Sequence, residues 1–496
     1  MTENGVKDLQ NCIKILMILL FTGFIMMTGG YDGMKQQEAA VSDNIAESGL
    51  FFQNPLPISN IGDPYVIHAK DGNYYMYCTS ASDGYYCWES PDLVNWNPKK
   101  TKCYTYGAAS WADHNFWAPE VVEYKDKYYM YYTAAGPDIS LRIGLAVSDF
   151  PQGPYVDIYD HPLFDFGYAT IDANVFIDDD GKKYLYFVRD CSENEGSGIQ
   201  KSEVYGIRLS DDMTGAEGEP AKLLSPEQPW EMASDDPIWN EGPEMIKHNG
   251  IYYLTYSGNY FGGRSYSVGY ATAKSPLGPF KKAGENPILQ AGSYESISGT
   301  GHHSMVYGPD GESLFFVYHS HTYPRVGGGN RQVNLDRACF DEQERLCVSG
   351  PTVSLQPVPE AGFIDHIEIA CGGDAELPDL HNGLITVHKK DAEKRDTILK
   401  TDASGKVELN IKLEKETAVE AVLIYRGSTD FDHAELVFDG NIVFRDLSCP
   451  EEAEQRSLIA LFEPIICEGI TVTLYAEPES EISLSEIQLL SGEKTG

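Results

Sequence analysis

Five times along this chain a tight turn is followed at once by an aromatic-rich strand. Asp71-Gly72 precedes Tyr74-Tyr75-Met76-Tyr77, and Asp126-Lys127 precedes Tyr128-Tyr129-Met130-Tyr131-Tyr132. Asp180-Gly181 precedes Tyr184-Leu185-Tyr186-Phe187, Asn249-Gly250 precedes Tyr252-Tyr253-Leu254-Thr255-Tyr256, and Asp310-Gly311 precedes Leu314-Phe315-Phe316-Val317-Tyr318. Asp-Gly and Asn-Gly between strand-like runs are strong hairpin signals. A hairpin that recurs at a near-constant interval marks a repeat whose units bury their faces against one another. The interval of roughly 55 to 70 residues holds three or four short strands, the size of a propeller blade. No 3.6-residue apolar period runs through these segments, which excludes helical repeats. The predicted fold is therefore all-β: a five-bladed β-propeller over residues 55–360, with residues 61–67, 118–124, 171–177, 242–248 and 302–307 as the innermost strands.

Further similarities extend the repeat. A third strand of small and apolar residues recurs as Ile143-Gly144-Leu145-Ala146-Val147-Ser148 and Val268-Gly269-Tyr270-Ala271-Thr272-Ala273. A surface turn then closes on Trp96, Tyr155 or Phe280. The recurrence of these aromatics at equivalent places points to packing between units rather than to sugar contact. Beyond Pro357-Val358-Pro359 the composition changes. Residues 365–496 contain no Trp, and alternating runs such as Val407-Glu408-Leu409-Asn410-Ile411 and Ala421-Val422-Leu423-Ile424-Tyr425 predict half-buried antiparallel strands, hence a C-terminal β-sandwich accessory domain.

At the other end, the 13-residue apolar run Ile15–Met27 lies behind Lys7 and Lys14 and before Thr28-Gly29-Gly30. That pattern predicts a signal peptide or uncleaved N-terminal anchor over residues 1–30, a flexible lead-in over 31–54, and a secreted or cell-surface protein. The 37 Lys and Arg against 75 Asp and Glu leave a formal net charge of −38. Such a field repels nucleic acid and anionic lipid but tolerates a neutral sugar. Of ten cysteines, Cys12 falls in the leader and an odd number remains, without CxxC or Cys/His spacing. Buried free thiols are expected rather than a disulfide framework or structural zinc.

Three of the predicted innermost strands open on a carboxylate: Asp63 in Gly62-Asp63-Pro64, Asp172 in Ile171-Asp172-Ala173-Asn174, and Glu241 in Asn240-Glu241-Gly242-Pro243-Glu244. One Asp before Pro or Gly merely starts a turn. Three at matching positions of a radial repeat would converge on the axis. Carboxylates crowded there raise one another's pKa, so a protonated acid coexists with an ionised base. Glycosidic cleavage has that requirement.

Those three carboxylates in that order, together with Trp117-Ala118-Pro119-Glu120 and Gly299-Thr300-Gly301-His302-His303-Ser304, resemble glycoside hydrolase family 43 over all five units, about 300 residues. The resemblance implies single-displacement hydrolysis with inversion, in which Asp63 is the general base and Glu241 the general acid. Asp172 would tune and position Glu241. No cofactor is implied for the chemistry. A structural calcium ion on the axis is implied beside His302, or beside His303, since only one of two successive strand residues points inward. Arg331 would meet sugar hydroxyls, and Trp117 either walls the sugar ring or serves simple packing. The implied substrates are α-L-arabinofuranosyl or β-D-xylosyl residues of plant-cell-wall polysaccharides and their oligosaccharides, with no stable protein partner. Endo-arabinanase is the nearest alternative activity, although the long segment from Cys191 to Trp239 favours a walled, exo-acting pocket. A non-catalytic carbohydrate-binding propeller is the alternative of a different class, and it has no need of the full carboxylate trio.

Overall fold

The computed structural model describes residues 51–491, apart from 109, 197, 234–235, 292–295, 342, 354, 361, 364–366, 372–396, 427–430, 441 and 448–456. The leader and most of the lead-in lie outside the described residues, as does Cys449. Among the described residues there is no α-helix. Only two short 3-10 turns, Cys191–Glu193 and Pro229–Glu231, interrupt the strands.

Residues 59–348 form five antiparallel units of four strands. The first comprises Ser59–His68, Tyr74–Ala81, Gly84–Ser90 and Thr101–Thr105, and the second His114–Tyr124, Lys127–Gly136, Ile139–Ser148 and Val156–Asp157. The third comprises Thr170–Ile177, Lys183–Arg189, Ile199–Leu209 and Ala216–Leu224, and the fourth Ile238–His248, Ile251–Gly258, Ser267–Ala273 and Lys281–Lys282. Gly301–Tyr307, Leu314–His321, Arg331–Phe340 and Leu346–Val348 make the fifth. Each opening strand contacts that of the next unit, and the opening strand of unit five contacts that of unit one. Units one and five also share a ladder, with Ile61 opposite Arg331 and Ser59 opposite Gln332. Buried Asn54 reinforces it by donating to the Leu335 carbonyl at 2.8 Å and accepting from the Leu335 N–H at 2.9 Å.

The hairpins fall where the turn residues placed them. Gly72, Gly181, Gly250 and Gly311 all have positive φ. In unit two the left-handed pair is Lys125-Asp126, one residue earlier than the sequence suggested.

The tyrosines of the second strands explain their own abundance. In each of the first four units one of these aromatic bodies fills the core between units while its hydroxyl finds a backbone acceptor on the next unit, as amphipathic aromatics require when buried. Tyr77 donates to the Pro151 carbonyl at 2.6 Å, Tyr131 to Met213 at 2.7 Å, Tyr186 to Pro276 at 2.9 Å and Tyr253 to Glu344 at 2.6 Å. The closing aromatics pack as expected. Tyr155 meets Tyr77 of unit one edge-on at 6.0 Å, Phe280 lies in a cluster with Tyr186 and Tyr256, and Trp96 is buried. Cys78, Cys87, Cys103 and Cys467 are buried free thiols.

Towards the C-terminus, the strands Thr397–Lys400, Lys406–Arg426, His433–Phe438, Ile442–Leu447, Ser457–Tyr475 and Glu481–Ser491 form one hydrogen-bonded network. The two long strands pair with register shifts after Lys412 and Val419. Residues of these strands, including Leu409, Ile411, Val472 and Leu474 on the long pair and Leu484 and Leu489 on Glu481–Ser491, bury an apolar cluster of their own.

Candidate active site

One local device, repeated five times, builds the site. Every opening strand breaks register with its neighbour at the same place: between Gly62 and Tyr65, Trp117 and Glu120, Ile171 and Asn174, Glu241 and Glu244, and Gly301 and Ser304. At each bulge one residue takes positive φ: Asp63 (56°), Ala118 (39°), Asp172 (54°), Gly242 (52°) and His302 (45°). A bulge bends its strand and re-aims a side chain. Non-glycine residues in this region are strained, and such strain is concentrated at functional sites.

This register corrects one expectation. Asp63 and Asp172 occupy equivalent bulge positions, but Glu241 stands one residue earlier, in the place held by Gly62, Trp117, Ile171 and Gly301. Gly242 takes the bulge in unit four, where an added Cβ would press on the His302 ring at 3.3 Å.

The bulge N–H groups are captured in turn by the preceding unit. Ala118 donates to Thr79 Oγ1 at 2.8 Å, Asp172 to Thr133 Oγ1 at 3.0 Å, His302 to Ser257 Oγ at 2.8 Å, and Asp63 to His319 Nδ1 at 3.3 Å. The corresponding residue of unit three is Val188, whose side chain has no acceptor. There the Asp172 carboxylate substitutes, its Oδ2 accepting from Gly242 N–H at 3.0 Å. Asp172 is thereby tied to the residue next to Glu241.

Asp63, Asp172, Glu241, His302 and Arg331 all lie here, each buried to nine-tenths or more. Asp63 accepts from Arg331 Nη1 at 2.6 Å and from Thr79 Oγ1 at 2.5 Å, with His302 Nδ1 at 3.3 Å. Burial pushes its pKa up, but Arg331, then His302 and His319, and the Thr79 hydrogen bond together hold it well below the usual carboxylate range. Glu241 behaves oppositely. Burial, and then the Asp172 charge, hold its carboxyl well above the ordinary glutamate value, although Tyr266 donates to Oε1 at 2.8 Å. Asp172 itself is pushed up to about 6, chiefly by burial, with His302 opposing and Asp63 adding. One buried site therefore holds an ionised carboxylate beside a carboxyl pair that retains a proton.

Trp117 is 38 % exposed and lines a pocket of about 440 Å³ with Asn60, Thr79, Asn330 and Arg331, on the Asp63 side. His303 turns away from the carboxylate site. Its Nε2 meets Thr255 Oγ1 at 2.8 Å, its ring stacks on Phe316, and burial lowers its pKa to about 3, so it is a neutral imidazole. Calcium takes six to eight oxygen ligands. His302 offers nitrogen, the nearby Asp63 oxygen is engaged by Arg331, and no group of three or more His, Cys, Asp or Glu among the described residues is arranged to hold a metal ion. This donor set does not by itself form a calcium cage.

Several contributors were not foreseen. His319 and Tyr266 belong to strands or loops distant in sequence, and only the folded register brings them to Asp63 and Glu241. Glu120 and Glu244 occupy equivalent positions two residues past the bulge, both buried. Glu120 accepts from Asn174 Nδ2 at 2.8 Å and Glu244 from Met305 N–H at 2.8 Å. Their signal was present in Ala-Pro-Glu and Gly-Pro-Glu at matched repeat positions.

A buried carboxylate held ionised at Asp63 and a buried carboxyl that keeps its proton at Glu241 meet the chemical requirement for acid–base cleavage of a glycosidic bond. The chain belongs to glycosyl hydrolases family 43, whose model matches residues 52–345, and it is a glycoside hydrolase. It is 30% identical over 289 residues to the Beta-D-galactofuranosidase xynD of Aspergillus niger, covering 55% of this chain and 77% of that one. It is 29% identical over 269 residues to Xylosidase/arabinosidase 43A of Humicola insolens, covering 49% and 77%. Among solved structures, a thermostable family-43 glycoside hydrolase is 46% identical with a TM-score of 0.60, over 62% of this chain and 99% of that one.

Proposed function

We propose that this chain releases α-L-arabinofuranosyl or β-D-xylosyl residues from plant-cell-wall polysaccharides or their oligosaccharides, by single displacement with inversion at the anomeric carbon. The observation that carries the reading is the opposed protonation of Asp63 and Glu241 in one buried site. Asp63, ionised, takes a proton from the water that attacks the anomeric carbon. Glu241, still protonated, gives its proton to the departing oxygen. Asp172 raises the proton affinity of Glu241 by its charge and positions it through Gly242 N–H. Arg331 and Trp117 meet the sugar on the Asp63 side, and His302 orders Asp63. The names of the relatives, xylosidase/arabinosidase among them, support the sugar class.

The same proposal takes the five units as a five-bladed β-propeller catalytic domain, supported by successive contacts among the opening strands, and the C-terminal strands as a β-sandwich. Export to the cell surface or medium rests on the leader. A calcium ion near His302 would be held through water, and no step depends on it.

The test is release of nitrophenol from the α-L-arabinofuranoside, β-D-xyloside and β-D-galactofuranoside, with NMR of the first-formed sugar. Inverted product and a loss of about 10²–10⁴-fold in Asp63→Ala are expected. On xylobiose, Glu241→Ala should lose a similar factor. A retained anomer, or wild-type rates in either variant, overturns the assignment.

A further inference from the structure

A second pocket, of about 550 Å³, opens on the Glu241 side and is lined by Trp239, Tyr260, Pro237, Asp236 and Ser265, among others. This volume is ordinary for a small-molecule site. Trp239 stands two residues before Glu241 on the same strand, where the pairing of Asn240 with Gly258 and Glu241 with Ser257 is still regular. Side chains two apart on a strand share a face, so the indole and the carboxyl point the same way. Cys191 lies near both. Burial pushes its thiol up to about 12, with Asp190 and then Glu241 contributing upward, while hydrogen bonds from Ser202 and Trp239 oppose.

The two rings lie 5.3 Å apart, and Tyr260 is 47 % exposed. Tyr260 is itself 4.8 Å from Phe261, whose ring lies 4.9 Å from the Arg331 guanidinium, which binds Asp63. One aromatic wall therefore runs from the pocket beside the acid to the arginine on the base. The loop that carries Tyr260 and Phe261, between Gly258 and Ser267, is braced, since Gly328 N–H donates to the Gly262 carbonyl at 2.9 Å.

We propose that Trp239 and Tyr260 form the leaving-group subsite, a stacking platform for a pyranose ring of a carbohydrate aglycone. The inference rests on the hydrolase reading above. In that reading Glu241 protonates the oxygen that departs, so the aglycone must occupy the Glu241 side. The pocket on the Asp63 side, lined by Thr79 and Arg331, which both donate to the Asp63 carboxylate, takes the sugar being released. A pyranose presents an apolar C–H face edged by hydroxyls. The pocket answers with two aromatic rings edged by Asp236 and Ser265. Substrates carrying a pyranosyl leaving group are therefore preferred over those with a small one.

The experiment compares kcat/KM on two substrates for wild type, Trp239→Ala, Trp239→Phe and Tyr260→Ala. One substrate is the glycosyl fluoride of the released sugar, whose leaving group has no ring. The other is xylobiose or an arabinofuranosyl-substituted xylotriose, whichever is cleaved. The loss in Trp239→Ala should be at least tenfold greater on the oligosaccharide than on the fluoride, mainly through KM. Phe should recover part of it, and Tyr260→Ala should show the same bias. Equal losses on both substrates would show a merely structural role and overturn the platform. Cleavage of neither substrate by the wild type overturns the arabinofuranosyl or xylosyl reading, and the platform with it.

Discussion

Asp63 and Glu241 are both buried carboxyl groups, so desolvation alone would keep both protonated. The difference lies in their neighbours. Asp63 faces a guanidinium, two imidazoles and a hydroxyl donor, whereas Glu241 faces the Asp172 charge and only one phenolic donor. Removing Arg331 therefore leaves the burial cost of Asp63 less compensated and raises its pKa. In Arg331→Met the acid limb of the kcat/KM–pH profile should move to higher pH, beyond any change in KM from lost sugar contact. An unmoved limb would separate Arg331 from the base. The converse holds for Asp172→Asn. The amide oxygen still accepts from Gly242 N–H, but the charge that raises Glu241 is gone, so Glu241 loses its proton at lower pH. The basic limb should shift downward, and a profile of unchanged shape would contradict the tuning role.

At the scale of the strand, the five bulges explain what was legible and what was not. Asp-Gly and Asn-Gly turns, alternation and aromatic content reveal hairpins because those signals are local, and the opening strands fall where they were expected. Bulge register is not local. It depends on which second-strand residue captures the next unit's N–H, and so the offset of Glu241 was invisible. Unit three shows the coupling most directly, since Val188 stands where Thr79, Thr133, Ser257 and His319 supply acceptors. Asp172→Ala should leave Gly242 N–H without a partner and cost about 1–3 kcal/mol of stability. Adding Val188→Thr should return part of that stability, by analogy with Thr79 and Thr133, but none of the activity. Denaturant unfolding of the two single variants and the double variant measures the coupling. Strict additivity would show that the hydroxyl position in unit three does not communicate with Gly242.

For the molecule as a whole, burying acids along the opening strands sets a pH limit on stability. Burial pushes Glu244 up to about 8 against the Met305 hydrogen bond, and Glu120 is raised by burial and then by Glu244 itself. A group with a raised folded pKa binds its proton in the native state and releases it in the unfolded one across the interval between the two values. For Glu244 that interval runs from 4.5 to about 8. Unfolding then releases a proton, and stability falls as pH rises through the interval. The net charge of −38 acts in the same direction through self-repulsion, but it is a property of the whole surface that one substitution barely alters. Glu244→Gln keeps an acceptor for Met305 N–H and removes the titration. Its melting temperature should therefore fall less than that of the wild type between pH 5 and pH 8, so that the variant gains relative stability at the alkaline end. Parallel melting curves across that range would mean that Glu244 is already ionised in the folded protein, stabilised by a partner beyond Met305.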